Sequence, residues 1–252
     1  MDTNEKQHLT PAQRRRKMEL KKKRQKELQR RRRRKKILIG AGIAVCVIVL
    51  AFSVFQVVNV LSSGSAKIAA RGDTFVIALD PGHGGEDTGM TNGEAVEKDI
   101  DLKICSKLKI MLESQGYQVV LTREDDSRLS KEERVSAANE SGADLLVSVH
   151  CNYSENDGSL SGAVSCYQEG DRKSRTLAEN IQAQLIEETG AADGGYLAGD
   201  YTILNDTEMP AVLIQPGYLS NADEAASLAD DSYQNDTAKG IAYGIIASLD
   251  RG

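Results

Sequence analysis

FVIALDPGHGG (75–85) and LLVSVHCN (145–152) decide how this chain is read. Each opens as an apolar run of strand length, and in each a histidine follows that run. YQVVL (117–121), AVSCY (163–167) and AVLI (211–214) have the same strand character. Residues 99–114, 131–141, 172–188 and 237–249 instead place apolar side chains at helical spacing, as with Leu102, Cys105, Leu108, Met111 and Leu112. Strands alternating with helices predict a single α/β domain with a largely parallel central sheet flanked by helices. No internal repeat is visible.

The chain has three histidines, His8, His83 and His150. In a parallel sheet the carboxyl ends of the strands share one edge, and ligands bind in the crevice there. His83 and His150 are therefore predicted on the same edge, within reach of a common ion. A lone histidine beside a strand is more often structural than a ligand. Two at strand ends, one of them among Gly82, Gly84 and Gly85, favour a site, because glycine lets backbone approach an ion or substrate closely. In GEAVEKDIDL (93–102), Glu97 opens a helix. A carboxylate is favourable there for its charge alone, and it is equally suited as a third ligand. His, Glu and His with one open position is the pattern of a catalytic zinc whose fourth ligand is water, and at this point both readings of Glu97 stay open.

Charge divides the chain. Residues 1–36 hold 17 Lys and Arg against four acidic residues, and the remainder holds 15 basic against 33 acidic. Residues 37–61, ILIGAGIAVCVIVLAFSVFQVVNVL, contain no charge. At 1.5 Å per residue they reach roughly 37 Å as a helix, enough for the ~30 Å hydrocarbon core with some tilt. The expectation is a basic cytoplasmic tail (1–36), one transmembrane helix (37–61), a small polar stalk (62–73) and an exported domain (74–252), oriented by the positive-inside rule. That places the protein in the cell membrane as a single-pass chain with its domain outside the cytoplasm. A cleaved signal peptide has a shorter apolar core. The Arg/Lys blocks fit anionic lipid headgroups without invoking a specific nucleic acid. No protein partner is identifiable.

Cys105, Cys151 and Cys166 show no CxxC spacing. They read as buried or free thiols, with a Cys151–Cys166 disulfide as the open alternative on an oxidising side of the membrane.

The run LDPGHGGEDTG (79–89), EKD (97–99), LTRE (121–124), Arg134 with AAN (137–139), ADLLVSVHCN (143–152) and MPAVLIQPGYLSN (209–221) resembles the zinc-dependent N-acetylmuramoyl-L-alanine amidase family, in family order and over about residues 74–250. The resemblance implies zinc on His83, Glu97 and His150, and peptidoglycan as substrate. It implies cleavage of the amide between N-acetylmuramic acid and the first L-Ala of the stem peptide. Asp87 matches a position usually acidic in the family and is expected to play a supporting role.

The chain departs from the family pattern at Gln215, where the family carries its catalytic glutamate. A neutral amide orients water but does not accept a proton at physiological pH. Glu208, Glu86 and Asp87 are the carboxylates weighed as substitutes. Asn205 stands where relatives often have Arg, and Pro216 follows the glutamine. Three readings stay open on the sequence: an active but slow amidase, an amidase-like module that binds peptidoglycan or regulates another hydrolase without cutting, and a zinc hydrolase for some other amide.

Overall fold

The computed structural model describes residues 75–250. The basic tail, the expected transmembrane segment at 37–61 and the stalk lie outside the described residues. Among the described residues, no helix is long and apolar enough to cross a membrane.

In chain order the elements are β1 (Val76–Pro81), β2 (Thr91–Asn92), β3 (Ala95–Val96), α1 (Glu97–Ser114), β4 (Gln118–Leu121), α2 (Lys131–Glu140) and β5 (Leu145–Val149). After them come β6 (Ala163–Tyr167), α3 (Arg172–Thr189), β7 (Asp193–Ala198), α4 (Thr202–Asn205), β8 (Ala211–Gln215), α5 (Ala222–Ala229) and α6 (Asp231–Asp250). Six strands form one sheet in the order β4-β1-β5-β8-β6-β7, and β2 and β3 form a separate small hairpin.

The sheet is mixed. β4, β1, β5 and β8 pair in parallel, but β6 is antiparallel to β8 and carries β7 with it in the reverse direction. The expectation of a largely parallel sheet therefore holds for four of the five strand pairings, and the β8–β6 pairing departs from it. The reason lies in residues 150–162, which contain no helix. A parallel neighbour needs a crossover, and without one the chain turns straight back.

Strand side chains alternate between two covered faces, as the pleat requires. Ile77, Leu79, Val147, Val149, Val212 and Ile214 enter the larger core with α1, α3 and α6. Ala78, Leu146, Ala211 and Leu213 face Ala138 of α2 and Ile203 and Leu204 of α4. Burial on both sides explains why the strands read as continuous apolar runs. Local signals set the helix ends. Ser130 and Glu133 form a capping box at α2, and the Asp171 carboxylate caps α3, which ends on left-handed Gly190.

On the larger face, α6 crosses α3 with almost no gap. A Cβ on Gly244 would lie 2.3 Å from Ile181 Cα, and one on Gly240 2.7 Å from Leu185 Cα. Two glycines four apart thus share one helix face and let the backbones touch.

Candidate metal centre

The carboxyl ends of β1 and β5 and the start of α1 converge on one point. His83 stands two residues beyond β1, His150 directly after β5, and Glu97 opens α1. His83 Nε2 lies 3.1 Å from Glu97 Oε1, and His150 Nδ1 lies 3.2 Å from the same oxygen. The imidazole rings are 4.9 Å apart and nearly perpendicular. One ligand atom from each of the three residues falls within a 4.8 Å span, the one such group among the described residues. The three residues predicted from sequence are thus brought together.

Glu97 is held before any ion arrives. It is 3% exposed. Its Oε2 accepts the Met90 N–H at 2.8 Å and its Oε1 the Cys151 N–H at 3.0 Å. Burial by itself would raise its pKa, but hydrogen bonds from His150 and His83 and their charge hold it well below the carboxylate range. His83 is the complement. Burial opposes its charge, yet the Glu97 carboxylate, with Asp87 behind it, raises its pKa.

Asp87 stands beside the outer face of His83, Oδ1 2.9 Å from Nδ1. Reciprocal backbone bonds between Gly84 and Asp87 fold the loop back to place it there. The Asp87 carboxylate thus faces the second ring nitrogen of His83, although that buried Nδ1 makes no hydrogen bond of regular geometry.

Close packing makes the loop glycines necessary. A Cβ on Gly82 would lie 2.4 Å from His150 Cε1 and 2.6 Å from Asp101 Oδ2. One on Gly89 would lie 2.6 Å from both Glu97 Oε2 and His83 Cδ2. His83 has φ of 53°, a left-handed conformation that bulky residues rarely adopt. The donor set, its charge and this cradle fit a zinc ion: two half-buried imidazoles prepaired with one buried carboxylate.

Gln215 ends β8 and is half-buried. Val149 pairs with Ile214, and His150 N donates to Ile214 O at 3.0 Å. Continuing that register sets Gln215 beside His150 on the neighbouring strand. Of the weighed substitutes, Glu208 precedes β8 at its other end, where its N–H bonds the Asn139 side chain, and Glu86 is exposed. Asn205 turns its amide to Asp200 Oδ1 at 2.7 Å. The three cysteines of the domain are free and buried, which settles against the Cys151–Cys166 disulfide.

Sequence reasoning missed the charged layer beneath the site. Asp80 is fully buried, and bonds from Arg134 at 2.8 Å, Thr122 at 2.6 Å and Ser148 at 2.7 Å converge on its carboxylate. Asp101 lies one helical turn beyond Glu97 and is also fully buried. Its Oδ2 has no hydrogen-bond partner, and burial together with the Glu97 charge pushes its pKa well above the carboxylate range. The available signal was its spacing, since positions i and i+4 share a helix face.

Comparisons with known proteins agree with this geometry. The sequence profile of the N-acetylmuramoyl-L-alanine amidases matches residues 77–247. YqiI of Bacillus subtilis, an uncharacterized protein, is 36% identical over 69% of this chain and 85% of its own length. The N-acetylmuramoyl-L-alanine amidase LytC of Bacillus subtilis is 30% identical over 77% of this chain, which spans only 40% of LytC. Among solved structures, the N-acetylmuramoyl-L-alanine amidase of Clostridium difficile 630 superposes with TM-score 0.68 and 34% identity, over 70% of this chain and 97% of that one. The catalytic domain of CwlV from Bacillus (Paenibacillus) polymyxa var. colistinus gives 0.67 and 36%, over 70% and 99%.

Proposed function

Because this chain belongs to the N-acetylmuramoyl-L-alanine amidase family, we propose that it uses one zinc ion on His83, Glu97 and His150 to hydrolyse the amide joining N-acetylmuramic acid to the stem peptide of peptidoglycan. The coarse function, an amidase and thus a hydrolase, follows from membership. LytC and the germination-specific amidase of Bacillus subtilis are amidases, which favours an enzyme over a module that binds without cutting. The observation that carries the zinc assignment is the meeting of three ligand atoms within 4.8 Å.

Bound zinc supplies Lewis acidity, which acidifies water and polarises the scissile carbonyl. The chain's own residues do the rest. Glu97 is fixed by two backbone N–H groups, so it does not reorganise on binding. Asp87 steadies His83. Gln215, beside His150, orients a water or the substrate amide but takes no proton. General acid–base help worth typically ~10²–10⁴ in rate is absent from that position, so turnover is slow.

The same proposal places the domain outside the cytoplasm, tethered by residues 37–61 with the basic tail against the inner leaflet. The support is the uncharged 25-residue stretch flanked on one side by 17 cations. Digestion of purified peptidoglycan tests the function. The expected product is a stem peptide with a newly freed L-Ala amino group, formed with zinc and abolished in His83→Ala. Release of any other fragment contradicts it.

A further inference from the structure

Arg123 links the two ends of the metal site from beneath. Its Nη2 donates to Gly82 O at 2.6 Å and to Lys98 O at 2.9 Å. Those carbonyls belong to the residue just before His83 and the residue just after Glu97. Its Nε reaches Pro81 O at 3.0 Å and its Nη1 Asp125 O at 2.9 Å. Arg134 takes the adjoining groups: Nη1 bonds Pro81 O at 2.6 Å and Asp80 at 2.8 Å, and Nη2 bonds His83 O. Three consecutive carbonyls, Pro81 to His83, thus point at guanidinium N–H groups. The two arginines are 3% and 6% exposed.

Such burial is costly unless the donors are met. Arg134 has Asp80 as a counter-ion, whereas the four hydrogen bonds of Arg123 all end on backbone carbonyls. A group serving only to balance charge needs one carboxylate. A planar fork bonded to carbonyls on two segments fixes the orientation and spacing of those segments, which a flexible ammonium does not reproduce. His83 needs such restraint, because its backbone sits at φ 53°.

We propose that Arg123 is a positioning residue for the metal centre, setting the separation of His83 from Glu97 through Gly82 and Lys98, with Arg134 holding the far side of the same loop. The proposal rests on the zinc reading above.

The test is zinc affinity by competition with a chromophoric chelator, together with the visible spectrum of the Co2+ form, on the purified full chain. Arg123→Lys keeps the charge and loses the fork. It is expected to weaken zinc by ~10–100-fold, as loss of outer-shell partners does, and to alter the Co2+ spectrum. Gly244→Ala, at the α3–α6 contact, is the control: it lowers the melting temperature but leaves zinc affinity and the Co2+ spectrum unchanged. Native zinc affinity in Arg123→Lys overturns the proposal, and so does equal weakening in the control. Should Arg123→Lys not fold, Arg134→Lys carries the same expectation. If neither folds with zinc present, the arginines are general supports of the fold and the proposal falls. A native chain that binds no zinc removes the zinc reading itself, an outcome distinct from native binding unaffected by Arg123→Lys.

Discussion

His150 and Glu97 meet at 3.2 Å, Nδ1 to Oε1, although 53 residues separate them in sequence. One arrives at the end of a buried strand and the other at the start of a helix. His83 meets the same oxygen from a third direction. Without metal the carboxylate is shared between two imidazoles, and a cation competes with protons for the same nitrogens.

That competition fixes the pH behaviour. Glu97 is lowered from 4.5, so its contribution to the metal-free fold is present above that value and lost as pH falls through its folded pKa. His83 is raised from 6.5, so its contribution is complete below 6.5 and fades as pH climbs through the raised value. The chelated protein is expected to lose melting temperature as pH rises above 6.5 and through the raised value of His83. Zinc binds deprotonated imidazole, so the increment it adds should grow over the same range. Melting curves with zinc and with EDTA at four pH values check this. A zinc increment that is flat or shrinks with pH contradicts it.

Gln215→Glu restores a proton acceptor beside His150. Turnover on peptidoglycan is expected to rise by ~10²–10⁴, with zinc affinity little changed. An unchanged rate in a zinc-loaded Gln215→Glu variant means that the register places the wrong residue at the reacting bond.

Gly82→Ala puts a methyl 2.4 Å from the His150 ring. The ring must shift, at a cost of about 1–3 kcal/mol for overpacking. Zinc affinity should fall with it, read by the same chelator competition. An alanine variant with native affinity would show that the loop has slack the structure does not have.

Gly244→Ala tests the helix layer. Alanine gains about 1 kcal/mol in helix propensity. Its methyl, however, would sit 2.3 Å from Ile181 Cα, backbone that cannot swing aside. A net loss of about 1–3 kcal/mol is expected by chemical denaturation.

The sequence revealed the half of the domain where its signals were strong. β1, β5 and β8 are buried on both faces and so appear as apolar runs, and the histidines that follow two of them reveal the site edge. β7 was missed because DGGYLA carries two glycines and sits exposed at the sheet edge, where little packing selects its residues. α4 spans only four residues and the hairpin strands two each, too short for any periodicity to register. The direction of β6 was legible in hindsight from the missing crossover after β5. Asp80, Arg123 and Arg134 fall within motifs that carry the family resemblance, but nothing local to them shows what they bond. Asp80 and Arg134 meet across 54 residues, and Arg123 reaches Pro81, Gly82 and Lys98 across 25 to 42, contacts that exist only once the chain is folded.

Zinc content of the domain is the most direct test of the site. Native protein titrated after chelation is expected to take up one zinc per chain, and His150→Ala and Glu97→Gln are each expected to lose more than the ~10–100-fold in affinity typical of outer-shell changes. Tight zinc binding that survives both substitutions, or no uptake by the native chain, contradicts it.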